Sequence, residues 1–170
     1  DASAHLIGFL LTEGYLSRGG TPGSLEEDGD TVSAELPAPC TPCDPMPVES
    51  SLVVDISAVL DLSRASSERG VIHAKTGGTH SASICLDGAI SFHAEDISRS
   101  AAFEKAAGCA SLGCHPMERS ILVLSSRVPA GFVRKAARIG LPIIAAVSAP
   151  TFKAAVEAER LGICLCGCVR

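Results

Sequence analysis

Tryptophan is absent, and the aromatic residues, five Phe and one Tyr, make up 4% of the 170 residues. Large aromatic anchors cannot build the interior, so the core has to come from Ala, Leu, Ile and Val. Hydrophobic residues reach 46%, enough to bury a core and exclude global disorder. Charge is scarce as well. Only 19% of residues are charged and the formal net charge is −5. The broad basic face that non-specific nucleic-acid binding needs is therefore missing, although two or three placed cations could still hold a small anion. No apolar run reaches the roughly 18 residues of a membrane span. The longest, from Leu141 onward, is broken by Pro142, Ser148 and Pro150. The opening Asp1-Ala2-Ser3-Ala4-His5 has no basic n-region, so no secretory signal is visible. The expectation is a cytoplasmic protein that binds neither nucleic acid nor membrane. Arg170 ends the chain directly after a strand-like run, and incomplete termini are expected.

What is plentiful is cysteine, at positions 40, 43, 85, 109, 114, 164, 166 and 168. The even count invites a disulfide framework. With no signal, and five of the eight inside apolar segments, free thiols are expected instead. Cys85, Cys109, Cys164 and Cys166 are expected to pack as small hydrophobes, leaving Cys40 and Cys43 in a loop-like setting with motif spacing.

Ala2 to Tyr15 reads as a helix, with Leu6, Phe9, Leu10 and Glu13 at helical spacing and Gly14 to end it. Ser17 to Asp30 is turn-rich, and Thr31 to Leu36 alternates like an edge strand. Pro37 to Pro47 is dense in proline, which cannot supply ladder N–H groups, so residues 37–47 are expected to form an exposed, mobile loop. Within Ser51 to Ser66 a helix is expected from Ile56 on, with Val59, Leu60 and Leu62 apolar. Ala82–Cys85 and Ala89–Phe92 flank Asp87-Gly88, a hairpin signal. Asp96 to Leu112 reads as a helix with Ile97, Phe103, Ala107 and Ala110 inward. Then strands over Ile121–Ser125, Pro142–Ser148 and Ile163–Val169 alternate with helices over Pro129–Ile139 and Pro150–Leu161, each with an early Pro and a closing Gly. Short helical crossovers imply neighbouring parallel strands covered on both faces. The fold class is a single α/β domain over residues 1–170, a three-layer sandwich with one antiparallel hairpin on a mixed sheet.

Ligands of open α/β sheets bind beyond the carboxyl ends of the strands. That rule selects Ser125, Ser126 and Arg127 after one strand, Ser148, Ala149, Pro150 and Thr151 after the next, and Val169 and Arg170 after the last. Hydroxyls, helix N-termini and two guanidinium groups on one edge suit an anionic ligand such as a phosphate. The commonest role of such hydroxyls, however, is to cap helices. Thr76-Gly77-Gly78-Thr79-His80 precedes a strand. Gly77 and Gly78 permit close backbone approach, and His80 could donate to a phosphate; an ordinary tight turn is the plainer reading.

Cys40-Thr41-Pro42-Cys43 is a CxxC. A metal site needs four ligands and no second pair lies nearby in sequence; a redox pair usually opens a helix; a sulfur-carrying thiol needs exposure and mobility. An incidental pair is the remaining reading. His93-Ala94-Glu95 with Pro39-Cys40-Thr41-Pro42-Cys43 also spells the zinc deaminase signature, in reversed order. On that alternative His93, Cys40 and Cys43 would hold zinc and Glu95 would shuttle protons.

The ordered set Ile7-Gly8-Phe9-Leu10-Leu11-Thr12-Glu13-Gly14, Thr76 to Ala82, Glu95-Asp96-Ile97-Ser98-Arg99 with Lys105, Ser125-Ser126-Arg127, Lys135, and Ile143 to Thr151 resembles the FdhD family of formate dehydrogenase accessory sulfurtransferases. The resemblance implies a cytidine-deaminase-like fold without deaminase chemistry. It also implies a sulfur carrier that takes persulfide sulfur from a cysteine desulfurase. The sulfur would pass to the molybdenum or tungsten of a bis-molybdopterin guanine dinucleotide cofactor, the cargo that formate dehydrogenase apoenzyme requires. By position Cys40 would carry the persulfide and Cys43 would be the second thiol. The cofactor-binding set it implies, together with the strand-end residues, is Gly77, Gly78, His80, Asp96, Arg99, Lys105, Ser125, Arg127, Ser148, Thr151, Cys168, Val169 and Arg170, with no resident metal. Where the family has glycine, arginine, histidine and asparagine, this chain has Ser98, Arg99, Ser100 and Ala101. A homodimer is entertained as the assembly. Two other functions stay open: the zinc hydrolase above, and a non-catalytic guanine-nucleotide binding module to which the cysteines are incidental.

Overall fold

The apolar runs Ile121–Leu124 and Ile143–Ala146 are buried at every position, as strands covered on both faces are. The computed structural model, which describes residues 2–29, 31–36 and 40–170, places them inside a five-stranded mixed sheet. In chain order the elements are α1 (Ala2–Glu13), β1 (Leu25–Asp28), β2 (Thr31–Ala34), α2 (Ile56–Glu68), α3 (Val71–Thr76), β3 (His80–Leu86), β4 (Ala89–Asp96) and α4 (Arg99–Leu112). A 3₁₀ turn (Met117–Arg119) leads to β5 (Ile121–Leu124), α5 (Ala130–Ile139), β6 (Ile143–Ala146), α6 (Phe152–Arg160) and β7 (Cys164–Cys166).

The strand order is β4-β3-β5-β6-β7. β3 pairs antiparallel with both β4 and β5, while β5, β6 and β7 are parallel. Alternation sorts the side chains into two cores. Ala82, Ile84, Leu122, Leu124, Ile144 and Ala146 pack with α1, α4, α5 and α6. Cys85, Ile121, Val123, Ile143 and Ala145 pack with Val59 and Leu62 of α2 on the other face. This is the expected three-layer sandwich with its single hairpin on a mixed sheet.

Several local expectations are corrected. The helix expected over Asp96–Leu112 begins only at Arg99, because Asp96 still pairs with His80 in the hairpin and Ser98 caps the helix. Ile97, expected inward, is therefore in the connection and 82% exposed. The run from Thr31 does not edge the main sheet; it pairs with Leu25–Asp28 in a separate ribbon. Helix α3 is an addition, since six residues with no buried position carry no amphipathic signal. Cys85 is buried as expected, and burial pushes its thiol up to about 12. Cys164, expected to be buried, is exposed, because β7 is an edge strand only three residues long.

Helices α1 and α4 touch backbone to backbone. A Cβ on Gly8 would stand 1.7 Å from the Glu104 carbonyl oxygen, and one on Gly108 would stand 1.7 Å from that of Ala4. Beside this crossing sits a buried charge cluster. Glu104 of α4 pairs with the Lys135 ammonium of α5, both side chains under a tenth exposed. Lys135 also reaches Glu13 at 2.7 Å, and His5 Nε2 lies 3.0 Å from the second Glu104 oxygen. Lys135, one of the residues carrying the family resemblance, thus ties three helices together.

Gly108→Ala is expected to destabilise by about 3 kcal/mol, since the new methyl meets backbone that cannot rotate away, lowering Tm by about 10 °C. Gly131→Ala, in a helix with nothing within 4 Å of the new atom, is expected to stabilise slightly. Thermal melts of the two variants check the pair; equal shifts would contradict the crossing.

Candidate functional site

Each crossover in β5–α5–β6–α6–β7 leaves from a carboxyl strand end, so those ends share one edge of the sheet with the start of β3 and the end of β4. Backbone bonds stitch this edge. Ser125 N–H donates to the Ser81 carbonyl (3.1 Å), Val147 N–H to Leu124 (2.9 Å), Val169 N–H to Ala146 (3.0 Å) and Cys168 N–H to Ser148 (3.4 Å). His80 pairs with Asp96 across the hairpin. The structure thus gathers Gly77, Gly78, His80, Asp96, Arg99, Ser125, Arg127, Ser148, Thr151, Cys168, Val169 and Arg170 along one edge, although the sequence spreads them over some ninety positions.

Their side chains divide by whether they are already occupied. Ser125 Oγ accepts the Ser81 N–H at 2.8 Å, joining β3 to β5. Thr151 Oγ1 accepts the Ala154 N–H at 3.2 Å and so caps α6. Lys105, on α4, is bound to Asp96 at 2.5 Å. Burial alone would raise the Asp96 carboxyl, but the hydrogen bonds from Lys105 and the Ser98 N–H hold it below the usual carboxylate range. Arg99 stacks over the Phe132 ring at 6.0 Å. The Val169 side chain is buried among α2 residues, and its carbonyl accepts from Ser63 Oγ at 2.8 Å. The exposed Arg127 and Arg170 pair with no carboxylate among the described residues.

Three helices start at this edge, and α4 and α6 carry side-chain caps whereas α5 has none. Just after Arg127, the first turn of α5 therefore offers unpaired N–H groups at Gly131, whose missing side chain leaves open space. Gly77 is likewise open, at φ 63. Backbone donors, a helix N-terminus and a free guanidinium suit a phosphate-type anion. Around the corner, Leu60, Ser63, Arg64 and Ser67 of α2 line a cleft of about 290 Å³ with Val147 and Arg170. Sequence reasoning passed over Gly131 and Arg64. The stripe Leu60–Arg64–Ser67 at helical spacing was the available signal, but nothing in the sequence says that this stretch of α2 lies beside Arg170.

The CxxC is elsewhere. Residues 37–39 of the expected mobile loop lie outside the described residues, and Cys40 to Pro47 have no regular secondary structure. Cys40 and Cys43 are both free and exposed. Cys43 is anchored through its backbone: its N–H donates to the Gly14 carbonyl at 2.9 Å, and its carbonyl accepts from Arg138 Nε at 3.0 Å. Gly14 follows α1 and Arg138 lies in the last turn of α5, whose end leads into the start of β6. The thiols therefore stand at the amino edge of the parallel strands, opposite the strand-end site. Beside them Asp44, Arg134, Arg138, Glu157 and Arg160 line a polar hollow. Glu157 accepts from Arg134 (2.7 Å) and Arg160 (2.9 Å). Those two guanidinium groups, against a smaller opposing effect of burial, hold its carboxyl down at about 2.

The deaminase constellation does not assemble. His93 Nδ1 is bonded to Ser83 Oγ (2.8 Å), which meets Ser66 of α2, so His93 is on the α2 face of the sheet, away from the CxxC. Burial, chiefly, pushes its imidazole below the usual value. Glu95 accepts from the Ile72 and His73 N–H groups at the start of α3, both at 2.8 Å, and from Thr79 Oγ1. Among the described residues no group of three or more His, Cys, Asp or Glu is placed to hold a metal. The zinc reading is set aside.

A family model, that of the FdhD/NarQ family, matches residues 29–170. The "Sulfur carrier protein FdhD" of Methanothermobacter thermautotrophicus is 33% identical over 124 residues, 73% of this chain and 50% of that protein. The protein of the same name from Streptomyces coelicolor is 33% identical over 153 residues, 89% of this chain and 51% of its own length. That of Bordetella petrii is 28% identical over 202 aligned residues, all of this chain and 73% of the relative. The chain spans about half the length of the first two. A crystal structure from Desulfotalea psychrophila, of a protein assigned as a formate dehydrogenase accessory protein, superimposes with a TM-score of 0.84 at 21% identity, over 99% of this chain and 74% of that one. At that identity the likeness concerns the fold.

The depressed Glu157 carboxyl gives a signed pH dependence. Because its folded value lies below the unfolded one, its contribution is full above about pH 4.5 and is lost as pH falls towards about 2. Urea midpoints at pH 6 and pH 3 should differ less in Glu157→Gln than in the parent; an unchanged difference would mean that the Arg134–Glu157–Arg160 cluster is not formed.

Proposed function

Because the chain belongs to the FdhD/NarQ family, we propose that it is a sulfur carrier in the maturation of formate dehydrogenase, with Cys40 as the thiol that is loaded. The observation that carries this is the exposure of both thiols, Cys40 and Cys43, three positions apart in a segment without regular structure. A sulfur carrier must present its sulfur to two partners, and a thiol packed in a strand, such as Cys85, could not.

Loading is ordinary exchange. The Cys40 thiolate attacks the terminal sulfur of a persulfide on a cysteine desulfurase; the donor leaves as thiolate and Cys40 becomes the persulfide. Delivery as sulfide reduces that sulfur by two electrons. Cys43 is placed in sequence to supply them: its thiolate attacks Cys40 Sγ, sulfide departs to the acceptor, and the Cys40–Cys43 disulfide left behind is reopened by a cellular dithiol. The acceptor is the molybdenum or tungsten of a bis-molybdopterin guanine dinucleotide, which is substrate here. Its phosphates are matched by the Arg127 guanidinium, the α5 N-terminus at Gly131 and the Gly77-Gly78 turn. His80, Ser148, Cys168 and Arg170 border the same edge.

Loading and holding thus belong to opposite edges of the sheet. Cys43 is released for movement once the bonds from its N–H to Gly14 and from Arg138 to its carbonyl are broken. Two such bonds are worth roughly 3 kcal/mol together, within reach of partner binding. Among the described residues no helix is long and apolar enough to cross a membrane, and a cytoplasmic site of action is part of the proposal.

Intact-protein mass spectrometry after incubation with a cysteine desulfurase and cysteine should show one added sulfur, removed by reductant and absent from Cys40→Ala. Absence of the adduct on the folded parent would overturn the carrier reading. A guanine-nucleotide binding module would then remain if GDP still bound. Calorimetry with GDP should show Arg127→Ala weakening binding by about tenfold or more, the worth of a charged hydrogen bond. Unchanged affinity would remove Arg127 from the site.

A further inference from the structure

Three cysteines crowd the end of the chain, in Cys164-Leu165-Cys166-Gly167-Cys168, and the carrier chemistry above uses none of their thiols. In a strand, residues two apart face the same side. Cys164 and Cys166 do so on β7, with their sulfur atoms 4.0 Å apart. Parallel pairing with β6, Cys164 opposite Ile143 and Cys166 opposite Ala145, fixes the spacing of the two Cα atoms. Cys164 is exposed, so the pair opens to solvent, while Cys166 is partly buried against the α2-side core.

We propose that Cys164 and Cys166 form a preorganised dithiolate chelate for a soft monovalent metal ion, Cu(I) in particular, separate from the CxxC loop.

Two observations select this over other uses of a thiol pair. First, the spacing suits a bridging ion better than a direct bond. Strand residues two apart have Cα atoms about 6.6 Å apart, at the far limit for a disulfide, so closing one would drag β7 off β6. A thiolate–metal bond of about 2.3 Å, by contrast, lets one ion bridge sulfurs 4.0 Å apart at an S–metal–S angle of about 120°. Opening that angle needs only rotation of the exposed Cys164 side chain. Second, the ligand count is two. Cys168 has left the row: its φ is 58, and Val169 rather than Cys168 rejoins the α2 face. Among the described residues no third His, Cys, Asp or Glu completes a site. Structural zinc and iron–sulfur clusters call for four ligands. Cu(I) is satisfied by two soft thiolates. Binding balances as two thiols plus Cu(I) giving one bis-thiolate complex of net charge −1 and two protons, with no change of oxidation state.

The test is anaerobic Cu(I) titration against a chromophoric chelator. It uses the full chain carrying Cys40→Ser and Cys43→Ser, so that the loop pair contributes nothing. One equivalent should bind tightly. Adding Cys164→Ser, at an exposed position that leaves the core intact, should weaken that equivalent by about a hundredfold or more, the loss of one arm of a chelate. Cys166→Ser should do the same and Cys168→Ser should leave it unchanged. No tight equivalent, an equivalent that survives Cys164→Ser, or one lost equally in Cys168→Ser would overturn the proposal. So would a parent chain whose mass shows Cys164 and Cys166 joined as a disulfide under non-reducing conditions.

Discussion

The contact between Gly8 and Gly108 sets the geometry on which much of the molecule depends. With neither residue carrying a Cβ, α1 and α4 approach until each faces the other's carbonyl groups. That approach brings the Glu104 carboxylate under α1, within reach of His5, while Lys135 is held from α5. A buried ion pair of this kind adds little net stability against an apolar replacement, but breaking it leaves an uncompensated charge. Its effect is therefore on specificity: it fixes how α1, α4 and α5 are rotated about their axes. One turn beyond Lys135, Arg138 donates to the Thr12 carbonyl and to that of Cys43. The crossing, the charge cluster and the position of the thiol loop form one mechanical series.

That series explains why an acidic, aromatic-poor chain can still organise two chemically distinct ends. The amino edge of the parallel strands holds Arg134, Arg138 and Arg160, but Glu157, Glu13 and Asp44 stand among them, so little free positive charge remains. At the carboxyl edge Lys105 is taken by Asp96 and Arg99 lies over Phe132, yet Arg127 and Arg170 are unpaired among the described residues. For holding a polyanion the unpaired charge counts, since a guanidinium already bonded to a carboxylate must give up that bond first. Local pairing, not net charge, decides which edge has positive charge left to offer an anion.

Much of the fold was legible in the sequence because its second half follows one rule repeatedly: a short apolar strand, a proline-started helix, a glycine stop. Asp87-Gly88 announced the hairpin, and both residues do adopt positive φ. What failed were features without periodicity. Helix α3 buries nothing and left no apolar pattern to read, and the alternation from Thr31 could not show that its partner is Leu25–Asp28 rather than the main sheet, because no position of that ribbon is buried. Ile97 is hydrophobic but belongs to a connection, where hydrophobicity does not imply burial. At the site, the strand-end rule found the edge but could not tell occupied from available groups. Ser125 and Thr151 are the same residue types as free ligands would be, and only their bonds to Ser81 and Ala154 reveal that they serve the backbone.

The deaminase letters make the same point in reverse. His93, Glu95, Cys40 and Cys43 are the right residues for a zinc hydrolase, yet the sheet stands between the two halves of the set. The first two are also engaged locally, since His93 closes a chain of hydroxyls beneath α2 and Glu95 receives the N-terminus of α3. A carboxylate accepting two backbone N–H groups and a hydroxyl is spent as a proton shuttle, because its lone pairs are already directed into the protein. The CxxC, by contrast, is tied through its backbone and leaves both sulfur atoms free. Composition could not separate these two cases. The direction in which each polar atom is already bonded does, and it leaves the thiols as the groups still available for chemistry.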